Sequence, residues 1–235
     1  MRKLLICFAL ILAAGATTLY LSPAALLASV QFTERQLAGL ASRQVQVGEF
    51  NLHYYEGGPQ GAETVLMIHG FGADKDNWLR FSRPLTARYH VIALDLPGFG
   101  DSSKPEASYD VGSQVERLNA FAKAIGIRQI HLIGNSMGGH IAALYAARHP
   151  EQVLSVALLD NAGVSAPQAS ELFKRLDRGE ANPLLINSAD DFNKMLDFLF
   201  VQQPPLPESL KQYLALRAMA SHDFNQKIFS QLRER

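Results

Sequence analysis

Four apolar runs, separated by stretches of helical character, constrain the fold of this 235-residue chain more than any other feature. They are "TVLMIHG" (64–70), "HVIALDLPG" (90–98), "IHLIGNS" (130–136) and "VLSVALLDNAG" (153–163). Continuous apolar runs of this length suit strands buried on both faces of a parallel sheet. Helical patterns lie between them, around Asp74–Arg88, Val111–Gly126 and Met137–His149. Buried strands alternating with helices predict an α/β fold built on a mostly parallel sheet. Two earlier strands, Val45–Val47 and Phe50–Tyr55, joined at "GE", predict an antiparallel hairpin at its edge. After Gly163 the pattern turns helical, with prolines at 183, 204, 205 and 207 and no buried-strand run. The expected organisation is an N-terminal segment over 1–30, a sheet-and-helix core over 45–163, and a helical cap over 164–235 lying on the sheet's C-terminal edge.

Composition narrows the function classes. Acidic and basic residues balance at 22 each, and no basic run marks a nucleic-acid partner. The single cysteine, Cys7, rules out a disulfide framework and a thiolate metal cage. The seven histidines are scattered without ligand spacing, so no metal and no cofactor is expected.

The N-terminus differs in kind. Arg2 and Lys3 precede a stretch from Leu4 to Thr33 without a charged residue, and Leu4–Leu21 is almost wholly apolar. That length suits one membrane span, and the flanking charges imply that the remainder is translocated. A cleaved signal peptide competes, because "LAAGA" (12–16) supplies a small-x-small site. A buried helix is the weaker alternative, since nothing polar breaks the run. The chain is therefore expected to be exported or anchored, with the membrane as a partner.

Chemistry concentrates at Gly134-Asn135-Ser136-Met137-Gly138, a G-x-S-x-G pattern between a strand and a helix. A chain that reverses there within a few residues forces the serine into a strained conformation and exposes its hydroxyl. Glycine on either side removes side chains that would collide with the flanking elements. The first N–H groups of the new helix lack internal partners and favour negative charge. Ser136 is thus a candidate nucleophile, against the alternative of a plain helix cap. The loop "HGFGADKDNW" (69–78) follows the first buried strand. The Phe71 N–H, with that of Met137, would make a two-donor oxyanion hole. An ordinary turn, for which Gly70 and Gly72 would suffice, is the competing reading. His69 is expected to orient the loop rather than move protons. In "DLPGFGDSSKP" (95–105), Asp95 and Asp101 are expected to make structural hydrogen bonds, and "GFG" lacks the third glycine of a dinucleotide fingerprint.

With "GNSMGG" (134–139) and "ARHPEQV" (147–153), these motifs fall in an order that resembles the α/β-hydrolase superfamily over about residues 45–165. The closer resemblance is to its serine lipases and esterases of the monoacylglycerol-lipase-like kind. It implies ester hydrolysis through an acyl-enzyme on Ser136, with a small-molecule ester or lipid as substrate. It also implies an acid in a "G-x-x-D" loop and a histidine in a "G-H" loop, both after the cap. Neither loop occurs before Arg235. The expectation is a chain that is incomplete relative to the family and inactive by itself. Asp160 at a strand end and His222 in the cap are the only substitutes worth naming. His90 and His131 begin strands, His149 ends a helix, and His140 lies one turn past the elbow. Two alternatives compete with the esterase: a hydrolase of carbon–carbon bonds in meta-cleavage products, although "HGFG" stands where those enzymes carry "HGGG", and a non-catalytic remnant.

Overall fold

A computed structural model describes residue 18 and residues 22–164 and 167–233 of the chain. Apart from Thr18, the apolar run Leu4–Leu21 lies outside the described residues. Among them no helix is long and apolar enough to cross a membrane.

The described chain opens with helix α1 (Pro23–Leu37), started by the proline and by Ser22, whose Oγ accepts the Ala25 N–H at 3.2 Å. Strands β1 (Leu40–Val47) and β2 (Phe50–Gly57) form the expected hairpin, each longer than its apolar stretch suggested. Val47 pairs with Phe50 across the Gly48-Glu49 turn. β1 extends back to Leu40, so the core begins earlier than residue 45.

The four apolar runs are strands β3 (Thr64–Ile68), β4 (His90–Leu94), β5 (Ile130–Asn135) and β6 (Val153–Leu159). The sheet order is β1-β2-β4-β3-β5-β6, parallel from β4 to β6, with β2 antiparallel to β4. From β3 the chain first moves outward to β4, then crosses back to β5. β3 and β5 are therefore neighbours whose following loops diverge, and such a switch point is where open α/β sheets bind ligands. The pairing of Ile68 with Gly134 brings the ends of these two strands side by side.

Alternation along the strands divides the core. Leu66, Ile68, Ile92, Leu94 and Leu132 face helices α3 (Val111–Ala124) and α4 (Met137–Arg148), packing on Leu118, Phe121, Ile141 and Tyr145. Val65, Met67, Val91 and Ala93 face the other way, onto Trp78 and Leu79. Those two residues belong to a 3₁₀ turn (Lys75–Trp78) and the short helix α2 (Leu79–Ser82). The helix expected across Asp74–Arg88 stops there because Pro84 has no N–H with which to continue the helical ladder.

After β6 the chain is helical, as its composition indicates: α5 (Glu171–Asp177), α6 (Ala189–Leu199), α7 (Glu208–Ala220) and α8 (His222–Arg233). Ile186, Phe192, Leu196 and Ala215 give the cap a small core of its own. α8 returns to the main core through Ile228, and its Gln231 Oε1 accepts the Tyr109 N–H at 2.6 Å. It thus lies over the loops at the C-terminal ends of β3 and β4.

Candidate active site

Ser136 sits between β5 and α4 with φ 52° and ψ −117°. A non-glycine residue there carries about 1–3 kcal/mol of strain and persists only where its surroundings impose it. The surroundings are visible. Its N–H donates to Leu159 O at 3.0 Å, and its carbonyl accepts the N–H groups of Gly139, His140 and Ala162 at 3.0, 3.2 and 3.0 Å. The end of β6 thereby fastens the turn. The side chain caps nothing: the helix has no side-chain hydrogen bond at its N-terminus, and no partner among the described residues takes the Ser136 hydroxyl. The plain-cap alternative therefore fails on geometry.

The flanking glycines are required by contact. A Cβ on Gly134 would stand 2.3 Å from Gly138 O, and one on Gly138 would stand 2.3 Å from Ile68 O. The elbow fits only because both are absent. The loop after β3 presses on it from the side: a Cβ on Gly70 would come within 3.3 Å of Ser136 Cβ and 3.1 Å of Asn135 Oδ1. Asn135 itself donates through Nδ2 to Leu159 O at 3.1 Å, which makes it a brace of the turn. Gly72, by contrast, has open space around it and is needed for its φ of 71°.

The N–H of Phe71 lies in this loop and that of Met137 opens α4. Neither has an acceptor among the described residues. The Phe71 ring packs edge-on against Phe99 and Phe229, so the cap helix α8 rests directly on the loop.

His69 is fully buried. Its Nε2 accepts the Leu96 N–H at 3.0 Å while Nδ1 donates to Gly70 O at 2.8 Å, so both ring nitrogens are committed. Burial holds its pKa below the usual histidine value. Both bonds tie the neutral ring into the loop. Asp95 and Asp101 also make the structural bonds expected of them. Their partner was not legible: Lys75, whose side chain is only 3% exposed and whose Nζ lies 2.7 Å from Asp95 and 2.6 Å from Asp101. Burial opposes a charge on Lys75, yet the two carboxylates hold its ammonium well above its ordinary pKa. The available signal was a lysine placed inside a loop that must pack beneath the sheet's C-terminal end.

The remaining candidates do not assemble. Asp160 is exposed, at φ 43°, and His222 opens α8 with a buried, unpartnered Nδ1. Neither shares a hydrogen bond with Ser136. His140 is half-buried against Gly163, whose Cβ would meet its ring at 2.3 Å, and burial lowers its pKa. His90 and His131 pair with Glu56 and Glu63 near the starts of their strands. Among the described residues, no histidine or carboxylate shares a hydrogen bond with the Ser136 hydroxyl.

Comparison with known proteins agrees with this geometry. The family profile described as alpha/beta hydrolase fold matches residues 63–222. Lipase 1 of Psychrobacter immobilis is 43% identical over 183 residues, covering 76% of this chain and 56% of that protein. Monoacylglycerol lipase abhd6-B of Xenopus laevis is 31% identical over 223 residues, covering 91% of this chain and 66% of that one. Among solved structures, a membrane phospholipase A, described as a bacterial virulence factor, superposes with a TM-score of 0.88 at 64% identity over 99% of this chain and 75% of its own. The chain thus spans little more than half the length of Lipase 1. Sheet order, elbow and profile lead to one assignment: the chain belongs to the alpha/beta hydrolase fold family.

Proposed function

We propose that the whole protein hydrolyses carboxylic esters of lipid-like substrates through an acyl-enzyme on Ser136. The observation that carries this reading is the strained Ser136 with an unpartnered hydroxyl at the sheet's switch point. Ser136 Oγ attacks the ester carbonyl as its proton passes to a base. Negative charge develops on the carbonyl oxygen, and the Phe71 and Met137 N–H groups are assigned to receive it. The tetrahedral intermediate expels the alcohol, which takes the proton, and water then releases the acid by the same route in reverse. The base is assigned by family resemblance to a histidine from the loop that follows the cap, oriented by a carboxylate. The names of Lipase 1, the monoacylglycerol lipase and the phospholipase A favour acyl glycerols and related lipids as the substrate class, and ester over carbon–carbon cleavage.

In the whole protein, Ser136→Ala should cut hydrolysis of p-nitrophenyl butyrate by about 10⁶-fold while leaving the melting transition in place. A folded variant with parental turnover refutes the reading.

The same proposal places the protein at a membrane, exported or anchored through Leu4–Leu21. Its support is the uncharged run behind Arg2 and Lys3, and a structural relative that is itself described as a membrane enzyme. A retained anchor predicts a protein that stays with membranes through carbonate extraction. An intact mass that begins near Thr17 would show cleavage instead.

A further inference from the structure

The loop that carries Phe71 is tied down at both ends by the loop that follows β4. At its start, His69 accepts the Leu96 N–H and donates to Gly70 O. At its end, Lys75 grips Asp95 twice: its backbone N–H donates to Oδ1 and its Nζ to Oδ2, each at 2.7 Å. The same Nζ donates to Asp101 Oδ2 at 2.6 Å, and the Asp101 N–H donates back to Asp95 Oδ2 at 2.9 Å. Between these anchors lie only Gly70–Asp74. The Asp95 carboxylate is fully buried and fills the place of a side chain at Gly100, where a Cβ would sit 2.3 Å from its Cγ. The Tyr55 ring lies beside the ammonium, its centroid 5.1 Å from Nζ.

A buried ion pair is a weak source of stability, because desolvation offsets most of the attraction and apolar replacements are often as stable. What this pair supplies is direction. Two donors of one residue meet two oxygens of one carboxylate, so residue 75 can neither slide nor rotate. The other side of the loop abuts Ser136 at Gly70, so any shift there reaches the reacting centre.

We propose that Lys75 is a positioning residue, which through Asp95 holds the Phe71 N–H on the carbonyl oxygen of an ester attached to Ser136. This rests on the roles given to Ser136 and Phe71 above. Lys75 touches no reacting atom and acts only through the loop.

The test is turnover of p-nitrophenyl butyrate by the whole enzyme, divided by the amount of Ser136 titrated to completion with a fluorophosphonate. A variant that folds poorly still reports, because only competent sites are counted. Lys75→Met should lower kcat per titrated site by about 10²-fold, the scale of a displaced or lost oxyanion donor, with KM changed only a few-fold. Lys75→Met combined with Asp95→Asn removes the unpaired buried charge. It should recover melting temperature without recovering kcat. Parental turnover per site in either variant, with a drop in melting temperature alone, overturns the proposal and leaves Lys75 a structural residue. A parent enzyme that hydrolyses the ester without labelling at Ser136 would instead refute the nucleophile assignment, which separates the two failures.

Discussion

At the scale of single residues, the site contrasts a strained serine with a satisfied histidine. Ser136 is held at positive φ by four backbone hydrogen bonds, and its hydroxyl is left without a partner. His69, on the loop that abuts the same elbow, has both ring nitrogens used and no room for a further proton. That difference has a consequence in solution. In the unfolded chain His69 binds a proton near its ordinary value of 6.5, whereas burial lowers the pKa of the folded form. Below that pH the unfolded state binds more protons, so this contribution to stability is present at neutral pH and is lost as the pH falls. The loss reaches at most about 1.4 kcal/mol per pH unit. Melting temperature should therefore fall more steeply between about pH 7 and about pH 5 in the parent than in a His69→Asn variant. Equal slopes would mean that His69 is not buried as a neutral group. Ser136 and the loop glycines were legible in the sequence because each backbone demand excludes other residue types. Lys75 was not, since a lysine reads as solvent-facing until the carboxylates that meet it, Asp95 and Asp101, are brought from a different strand end.

At the scale of elements, the elbow works because β5 and α4 approach more closely than side chains permit. Gly138 abuts the backbone of Ile68 and His69 at the end of β3. Gly138→Ala places a methyl group 2.3 Å from Ile68 O, against backbone that cannot swing aside. The expected cost is about 1–3 kcal/mol, read by denaturant unfolding, together with loss of Ser136 reactivity. A variant as stable and reactive as the parent would mean that α4 sits further from β3 than described. The parallel strands and helices α3 and α4 were legible because continuous apolar runs and 3.6-residue periodicity fit few competing backbone geometries. Other boundaries needed tertiary context. β1 extends back to Leu40 through "LASRQ", whose polar Ser42, Arg43 and Gln44 are held by pairing with β2 and not by an apolar pattern. α2 is cut short by Pro84, and α1 grows from the charge-free N-terminal region, whose composition speaks of membrane before it speaks of a capped helix.

At the scale of the whole molecule, the sheet formed by the described residues is asymmetric. β1 closes one side, with Ser42, Arg43, Gln44 and Gln46 exposed. On the other side β6 pairs only with β5 among the described residues, and its Leu154, Leu158 and Leu159 are exposed. An unpaired apolar strand invites association with further chains. A protein of residues 1–235 should therefore scatter light at concentrations where Leu158→Lys in the same chain does not. Equal scattering by both would place the association elsewhere. The helices after β6 add the opposite feature, a small core of their own, and α8 bears on Phe71. Sheet order and elbow converge on Ser136, and the most direct measurement of its proposed role as nucleophile is a fluorophosphonate adduct mapped by peptide mass on the whole protein. One adduct per chain is expected, on Ser136, with ester hydrolysis lost in proportion to labelling. Undiminished hydrolysis by fully labelled protein, or an adduct at another residue with Ser136 untouched, would contradict it.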